Sequence, residues 1–281
     1  MKRENFESRY AVSPAETKQM DTAQLRGNFL IERLFDADQV NLTLTHYDRY
    51  IAGGAMPVDS TLALPNPDAL KADYFLERRE LGIINVGAKG TVTADGVSYE
   101  LDFKEALYIG KGAREVSFTS ADSKNPAKFY LNSAPAHHTY PTKKVSKAEA
   151  EIVELGSPET ANHRIINKLL VNSVLPTCQL QMGMTELKSG SVWNTMPAHT
   201  HDRRMEVYFY FEVPQGQSVC HFMGQPQESR HIWMQNEQAV ISPNWSIHSG
   251  AGTSNYTFIW GMAGENLDYG DMDHCAINEL K

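Results

Sequence analysis

The chain has 281 residues, 41% of them hydrophobic, and a formal net charge of −8. That length supports one large or two modest buried cores, and the acidic balance argues against nucleic acid or an anionic membrane surface as the main partner, since both select clustered Lys and Arg. Three scattered cysteines, Cys178, Cys220 and Cys275, form no C-x-x-C pair, so neither a disulfide framework nor a cysteine-zinc site is expected and a reducing cytoplasm fits best.

Residues 1–20 are polar throughout and read as an N-terminal arm without the apolar run of a secretory signal. No later stretch approaches the roughly 20 apolar residues needed to span a bilayer. The spacing over Thr22 to Phe35 (TAQLRGNFLIERLF) predicts a helix. From there, short β-branched and aromatic runs alternate with Gly, Pro, Asn and Asp: NLTLTHYDRYIAGG, LGIINVGAKGTVTADGVSYEL, EALYIGKGAREVSFTS and AKFYLNSAP. A second short helix is expected over 147–155 (KAEAEIVEL). The strand rhythm then resumes with TCQLQMGMTEL, MEVYFYFEV, SVCHFMG, HIWM, QAVISP and NYTFIWGMAG, before a turn of helix at the C-terminus. This is an all-β sandwich or barrel pattern.

A weak internal repeat divides it. Leu76 to Val86 lines up with His201 to Phe211 at an offset of 125, and Glu105 to Gly110 with Gln238 to Pro243 at an offset of 133. Order is kept, and the difference fits a loop insertion. Tandem β-barrels over 21–145 and 146–281 follow. In this alignment Leu76 stands opposite His201 and Glu115 opposite His248, so the first copy is expected to lack whatever those histidines bind.

The run Pro197-Ala198-His199-Thr200-His201-Asp202-Arg203-Arg204-Met205-Glu206 holds H-x-H followed by a carboxylate five residues on. Residues two apart on a strand share a face, so His199 and His201 can aim at one point. Glu206 has the wrong parity for a continuing strand, so a turn through Asp202 to Arg204 must bring it back. His248, after the turn at Pro243, offers a fourth ligand. Imidazoles and a carboxylate suit Zn²⁺, Fe²⁺, Mn²⁺, Ni²⁺ or Co²⁺ alike. Tyr208 and Tyr210 share the parity of Glu206 and are candidate proton carriers or core aromatics. His221 and His231 read as core or surface residues, Trp193, Trp245 and Trp260 as pocket walls or packing, and His137 and His138 as contacts to substrate or another subunit.

H-x-H, x4, E and a distant P-x4-H resemble the two signatures of the cupin superfamily, with Trp245 and Gly252 departing from the usual Gly and Asn. Longer stretches carry a closer likeness: YFLERRELGIINVG (74–87), ALYIGKGAREV (106–116), APAHHTYPTKK (134–144), WNTMPAHTHDRRMEVYFYF (193–211), NEQAVISPNWSIHSGAGTSNYTFIWGMAGEN (236–266) and DMDH (271–274). Together they resemble the 4-deoxy-L-threo-5-hexosulose-uronate ketol-isomerase family from about residue 20 onward. The resemblance implies a two-cupin subunit with one Zn²⁺ on His199, His201, Glu206 and His248, a homohexamer, and interconversion of 5-dehydro-4-deoxy-D-glucuronate and 3-deoxy-D-glycero-2,5-hexodiulosonate in pectin breakdown.

Such an isomerisation moves hydrogen between C1 and C2, through a cis-enediol or as a hydride, and charges the two neighbouring oxygens. A divalent metal stabilises that charge, and the enediol route needs a base, for which Glu206, Tyr208 and Tyr210 are candidates. The substrate carboxylate calls for Arg or Lys. Arg203 with Arg204 and Arg164 with Lys168 are the candidate pairs, although Arg78-Arg79 at the matching turn of the first copy points to a structural or interface role for at least one arginine of each Arg-Arg pair. Competing readings are 5-deoxy-glucuronate isomerase, an iron-dependent cupin oxygenase and a non-catalytic sugar-binding cupin.

Overall fold

The computed structural model describes residues 5–265 and 267–281; the first four residues of the expected arm, and Asn266 of the motif ending there, lie outside them. Strands dominate, in a seven-stranded and a four-stranded sheet that occur twice. The first large sheet runs, edge to edge, through Phe6–Arg9, Gln39–Thr45, Ile51–Met56, Phe129–Pro135, Arg79–Asn85, Ala106–Ile109 and Lys143–Val145. The second runs through Glu151–Leu155, Arg164–Leu170, Gln181–Leu187, Thr257–Gly264, Arg204–Phe211, Gln238–Ser242 and Leu30–Ile31.

Strand pairing follows the sequence repeat residue by residue. Leu81 faces Ile109 across the first sheet as Glu206 faces Ser242 across the second, reproducing both offsets. Residues two apart share a face, so Leu81 and Ile83 point where Glu206 and Tyr208 point. In the first barrel that face is filled: Leu76, Leu81 and Ile83 join Phe118, Phe129 and Leu131 in one apolar core. Glu115 is exposed there, its backbone N–H donating to Asp95. In the second barrel the matching face carries Glu206, Tyr208 and Tyr210 beside Met262, Trp260 and Phe258.

Two compact units emerge, but their boundaries do not follow the expected division at 145/146. Among the described residues, one gathers 5–9, Arg33–Glu151 and Leu169–Met182; the other gathers Tyr10–Glu32, Ile152–Lys168 and the described part of Gly183–Lys281. In the second unit, Leu30 and Ile31 pair with Val240 and Ala239 and complete the sheet. That pairing also explains why the helix expected over 22–35 stops at Phe29. Asp21 and Gln24 close a capping box at its start, but an open strand edge offers Leu30 and Ile31 backbone partners.

The segment 147–155 is a correction. Ser146 donates from its N–H and hydroxyl to the Glu149 carboxylate, and one 3₁₀ turn forms over Lys147–Glu149. The chain then extends as the strand Glu151–Leu155, because Ile152 and Val153 favour an extended backbone where a sheet edge accepts it. A helix over Pro14–Gln19 was missed although Ser13-Pro14-Ala15-Glu16 is a capping box with Pro at the first position. Arg230 holds its C-terminal end by donating to the carbonyls of Thr17, Lys18 and Met20.

Candidate metal centre

His199 lies in a two-residue strand, His199–Thr200, paired with Asp273–His274. The chain turns through Asp202 and Arg203, pinned by Asn244, whose Nδ2 donates to the Asp202 carbonyl while its own carbonyl accepts from the His201 N–H. It returns as Arg204–Phe211, with Glu206 on the inner face. His248 follows a turn in which the Ser246 N–H donates to the Pro243 carbonyl and the Ser246 hydroxyl accepts from Gly224. All four residues are buried.

Their ligand atoms converge. His199 Nε2 stands 3.1 Å from His201 Nε2 and 2.9 Å from His248 Nε2. Glu206 Oε1 is 2.7 Å from His201 Nε2 and 3.6 Å from His248 Nε2. All four atoms lie within 4.8 Å of one another. Four donors around a tetrahedral ion with bonds of about 2 Å stand about 3.3 Å apart.

The protonation pattern fits a cation as well. His201 Nδ1 donates to the Asp271 carbonyl at 2.5 Å and His248 Nδ1 to that of Ser246 at 3.3 Å. With Nδ1 as the donor, a neutral ring presents the lone pair of its Nε2 inward, and lone pairs facing at this range repel unless a cation lies between them. Burial, with the neighbouring imidazoles, lowers the His199 pKa to about 2, and burial lowers His248 to about 4. Burial disfavours the Glu206 carboxylate, yet His248, His201 and Arg204 outweigh it and lower its pKa to about 2. Neutral imidazoles and an ionised carboxylate are the forms a divalent metal takes up.

Tyr208 and Tyr210 point inward behind Glu206, opposite Trp260 and Phe258. The Tyr208 ring packs edge-on 5.3 Å from His248, and its hydroxyl lies 3.0 Å from Thr195 Oγ1. Burial pushes its pKa well above 10, reinforced by the Glu206 charge. The Tyr210 hydroxyl lies 2.8 Å from His221 Nδ1. His221 is therefore an inner-face residue, whose pKa burial lowers to about 3, whereas His231, His137 and His138 are exposed.

The two basic pairs separate. Arg204 is 1% exposed, and its terminal nitrogens donate to the carbonyls of Asp268, Tyr269 and Asp271. The expectation that it binds substrate is corrected: it fixes the loop whose Asp271 carbonyl orients His201. Arg79, its counterpart, donates likewise to the carbonyls of Arg49 and Ser133. Arg203 is exposed in an ion pair with Glu265 at 3.3 Å. Arg164 donates to the Asn162 carbonyl at 2.8 Å and is partly buried near Tyr208 and Tyr269. Lys168, on the same strand face, stands 4.6 Å over the Tyr269 ring.

Sequence reasoning missed the Asp271 carbonyl, Thr195 and His274, whose ring lies 5.8 Å from that of His199. DMDH was visible as a motif, but only folding brings it 70 residues back to His201.

A twofold-repeated all-β barrel with three imidazoles and a carboxylate inside its second copy defines a bicupin with a centre able to hold a metal. Residues 29–277 match the KduI/IolB family, and the chain belongs to it. A Formosa agariphila protein named 4-deoxy-L-threo-5-hexosulose-uronate ketol-isomerase is 68% identical over 98% of this chain and 99% of its own length. A Bacteroides fragilis protein of the same name is 61% identical over 99% of both. Among solved structures, an IolB-like protein from Salmonella typhimurium matches with a TM-score of 0.72 over 88% of this chain and 97% of that one. Oxalate decarboxylase from Lactobacillus farciminis matches with a TM-score of 0.58 over 90% and 89%. At 16% and 10% identity, these two likenesses are of fold alone.

Proposed function

We propose that the chain is a zinc-dependent ketol-isomerase interconverting 5-dehydro-4-deoxy-D-glucuronate and 3-deoxy-D-glycero-2,5-hexodiulosonate, a step in pectin and uronate degradation. The observation that carries it is near-full-length identity to relatives bearing the ketol-isomerase name, in a chain that brings three imidazoles and a carboxylate together. Zinc bound there would supply a Lewis acid for the charge that develops on the two substrate oxygens next to the migrating hydrogen.

The residues divide the remaining work. Arg164 and Lys168 share a strand face and supply cationic donors for the substrate carboxylate. Tyr208, kept protonated by burial, donates a hydrogen bond to a substrate oxygen. Glu206, held ionised, is the candidate acceptor for the proton leaving carbon. Tyr210 holds His221 and shapes the pocket floor. A cytoplasmic homohexamer belongs to the same reading. The free cysteines Cys178, Cys220 and Cys275 are compatible with a reducing compartment, and light scattering checks the subunit number.

The test pairs metal analysis with an assay on the keto-uronate for wild type and His248→Ala. The variant is expected to lose bound metal and, with it, at least about a hundredfold in kcat/KM. Full activity in a metal-free variant would make the metal structural. The family description also covers IolB proteins, so 5-deoxy-glucuronate is assayed beside the first substrate; preference for it would replace the reading above.

A further inference from the structure

Thr195 has φ +48°, in the left-handed region. A β-branched side chain crowds the backbone there and seldom adopts it. Both flanks hold the residue in place: Asn194 donates to the Tyr256 hydroxyl at 2.7 Å, and the Met196 carbonyl accepts from Asn162 at 3.4 Å. Strain maintained in this way gathers at functional positions. Gly or Asn would take the same conformation at lower cost. What threonine adds is a hydroxyl at a fixed place.

That hydroxyl lies 3.0 Å from the Tyr208 oxygen. Tyr208 packs edge-on against the His248 ring and shares the inner face of its strand with Glu206. The strained residue thus reaches the His248 ring, one of the four candidate metal ligands, through one phenol. Thr195 is partly exposed where Tyr208 is 3% exposed, so the pair spans the step from solvent to the buried centre.

Resting on the isomerase reading of this centre, we propose that Thr195 is a positioning residue for Tyr208: its hydroxyl donates to the tyrosine oxygen and leaves the tyrosine's own hydrogen for a substrate oxygen. A phenol has one hydrogen. Without a donor at Thr195, nothing sets the direction in which that hydrogen points, and part of the population turns it away from the substrate.

The test uses the zinc-loaded full chain. Thr195→Val keeps the branch and the volume and removes the hydroxyl; Thr195→Ser keeps the hydroxyl and relieves the branch. Thr195→Val is expected to lower kcat on the order of tenfold with KM and metal content little changed, and Thr195→Ser to stay within about threefold of wild type. In a Tyr208→Phe background, Thr195→Val is expected to have no further effect, because it acts through the phenol. Additive losses in that cycle overturn the proposal. Metal lost from Thr195→Val also overturns it, by making Thr195 a support for the metal-binding side chains themselves. If Thr195→Val does not fold, Thr195→Ala carries the same cycle. Wild-type protein that fails to turn over the uronate sinks the isomerase reading instead. The cycle is then read from calorimetric affinity for the uronate, where absence of coupling ends the Thr195 proposal too.

Discussion

Two of the three imidazoles in the centre are held from behind by backbone carbonyls, and one of those carbonyls is itself held by Arg204. Metal affinity in such an arrangement depends on residues that never touch the metal. Arg204→Met keeps most of the side-chain bulk and removes the donors to three carbonyls. It is expected to cost about 3 kcal/mol in urea unfolding and to weaken metal binding about tenfold to a hundredfold. Unchanged affinity in a competition titration would show that the 268–271 loop holds His201 unaided. The Arg203-Arg204 pair shows how far sequence reaches at this scale. Two adjacent arginines are equivalent candidates until strand parity sends one inward, to carbonyls more than 60 residues away, and the other outward, to Glu265.

Along the strand Arg204–Phe211, alternation places Glu206, Tyr208 and Tyr210 on one face, and this much follows from the period of two. The wall they face is less legible. Trp260 lies opposite Tyr208, and the Gly183 position leaves room for its indole: a Cβ added there would run into the Trp260 ring and the Asn167 carbonyl. Gly183→Ala is therefore expected to destabilise by about 2 kcal/mol through overpacking. It should also lower kcat, because the displaced indole presses on Tyr208. Thermal unfolding with kinetics checks this, and an unchanged melting temperature would mean that the ring has somewhere else to go. Helix and strand assignments failed where local propensity met an open sheet edge. Leu30 and Ile31 left a predicted helix to pair with Val240 and Ala239, and Ile152 to Leu155 became a strand.

The two barrels use one architecture for different ends. Positions holding Leu76 and Leu81 in one core hold His201 and Glu206 in the other, so one copy is packed with hydrocarbon and the other carries charge. Among the described residues, the one group of three or more potential ligands lies in the second unit. Metal analysis is accordingly expected to find about one ion per chain. Chelation should abolish turnover and lower the melting temperature, and added zinc should restore both. The stabilisation withdrawn is about 4 kcal/mol for metal at a thousand times its dissociation constant. Two ions per chain, or turnover that survives chelation, would contradict this division.

The four candidate ligands, the inward parity of the tyrosines and the repeat with its two offsets are all legible in the linear chain. Spacing and periodicity are local properties, and strands in both barrels keep the same pairing register. Only the folded chain sets which arginine is buried, which carbonyl orients His201, why Thr195 sits in a left-handed conformation, and which unit Tyr10–Glu32 joins. Each of those depends on a contact between residues far apart in the chain, or on a sheet edge that a strand distant in sequence completes, and no pattern within a short window records either.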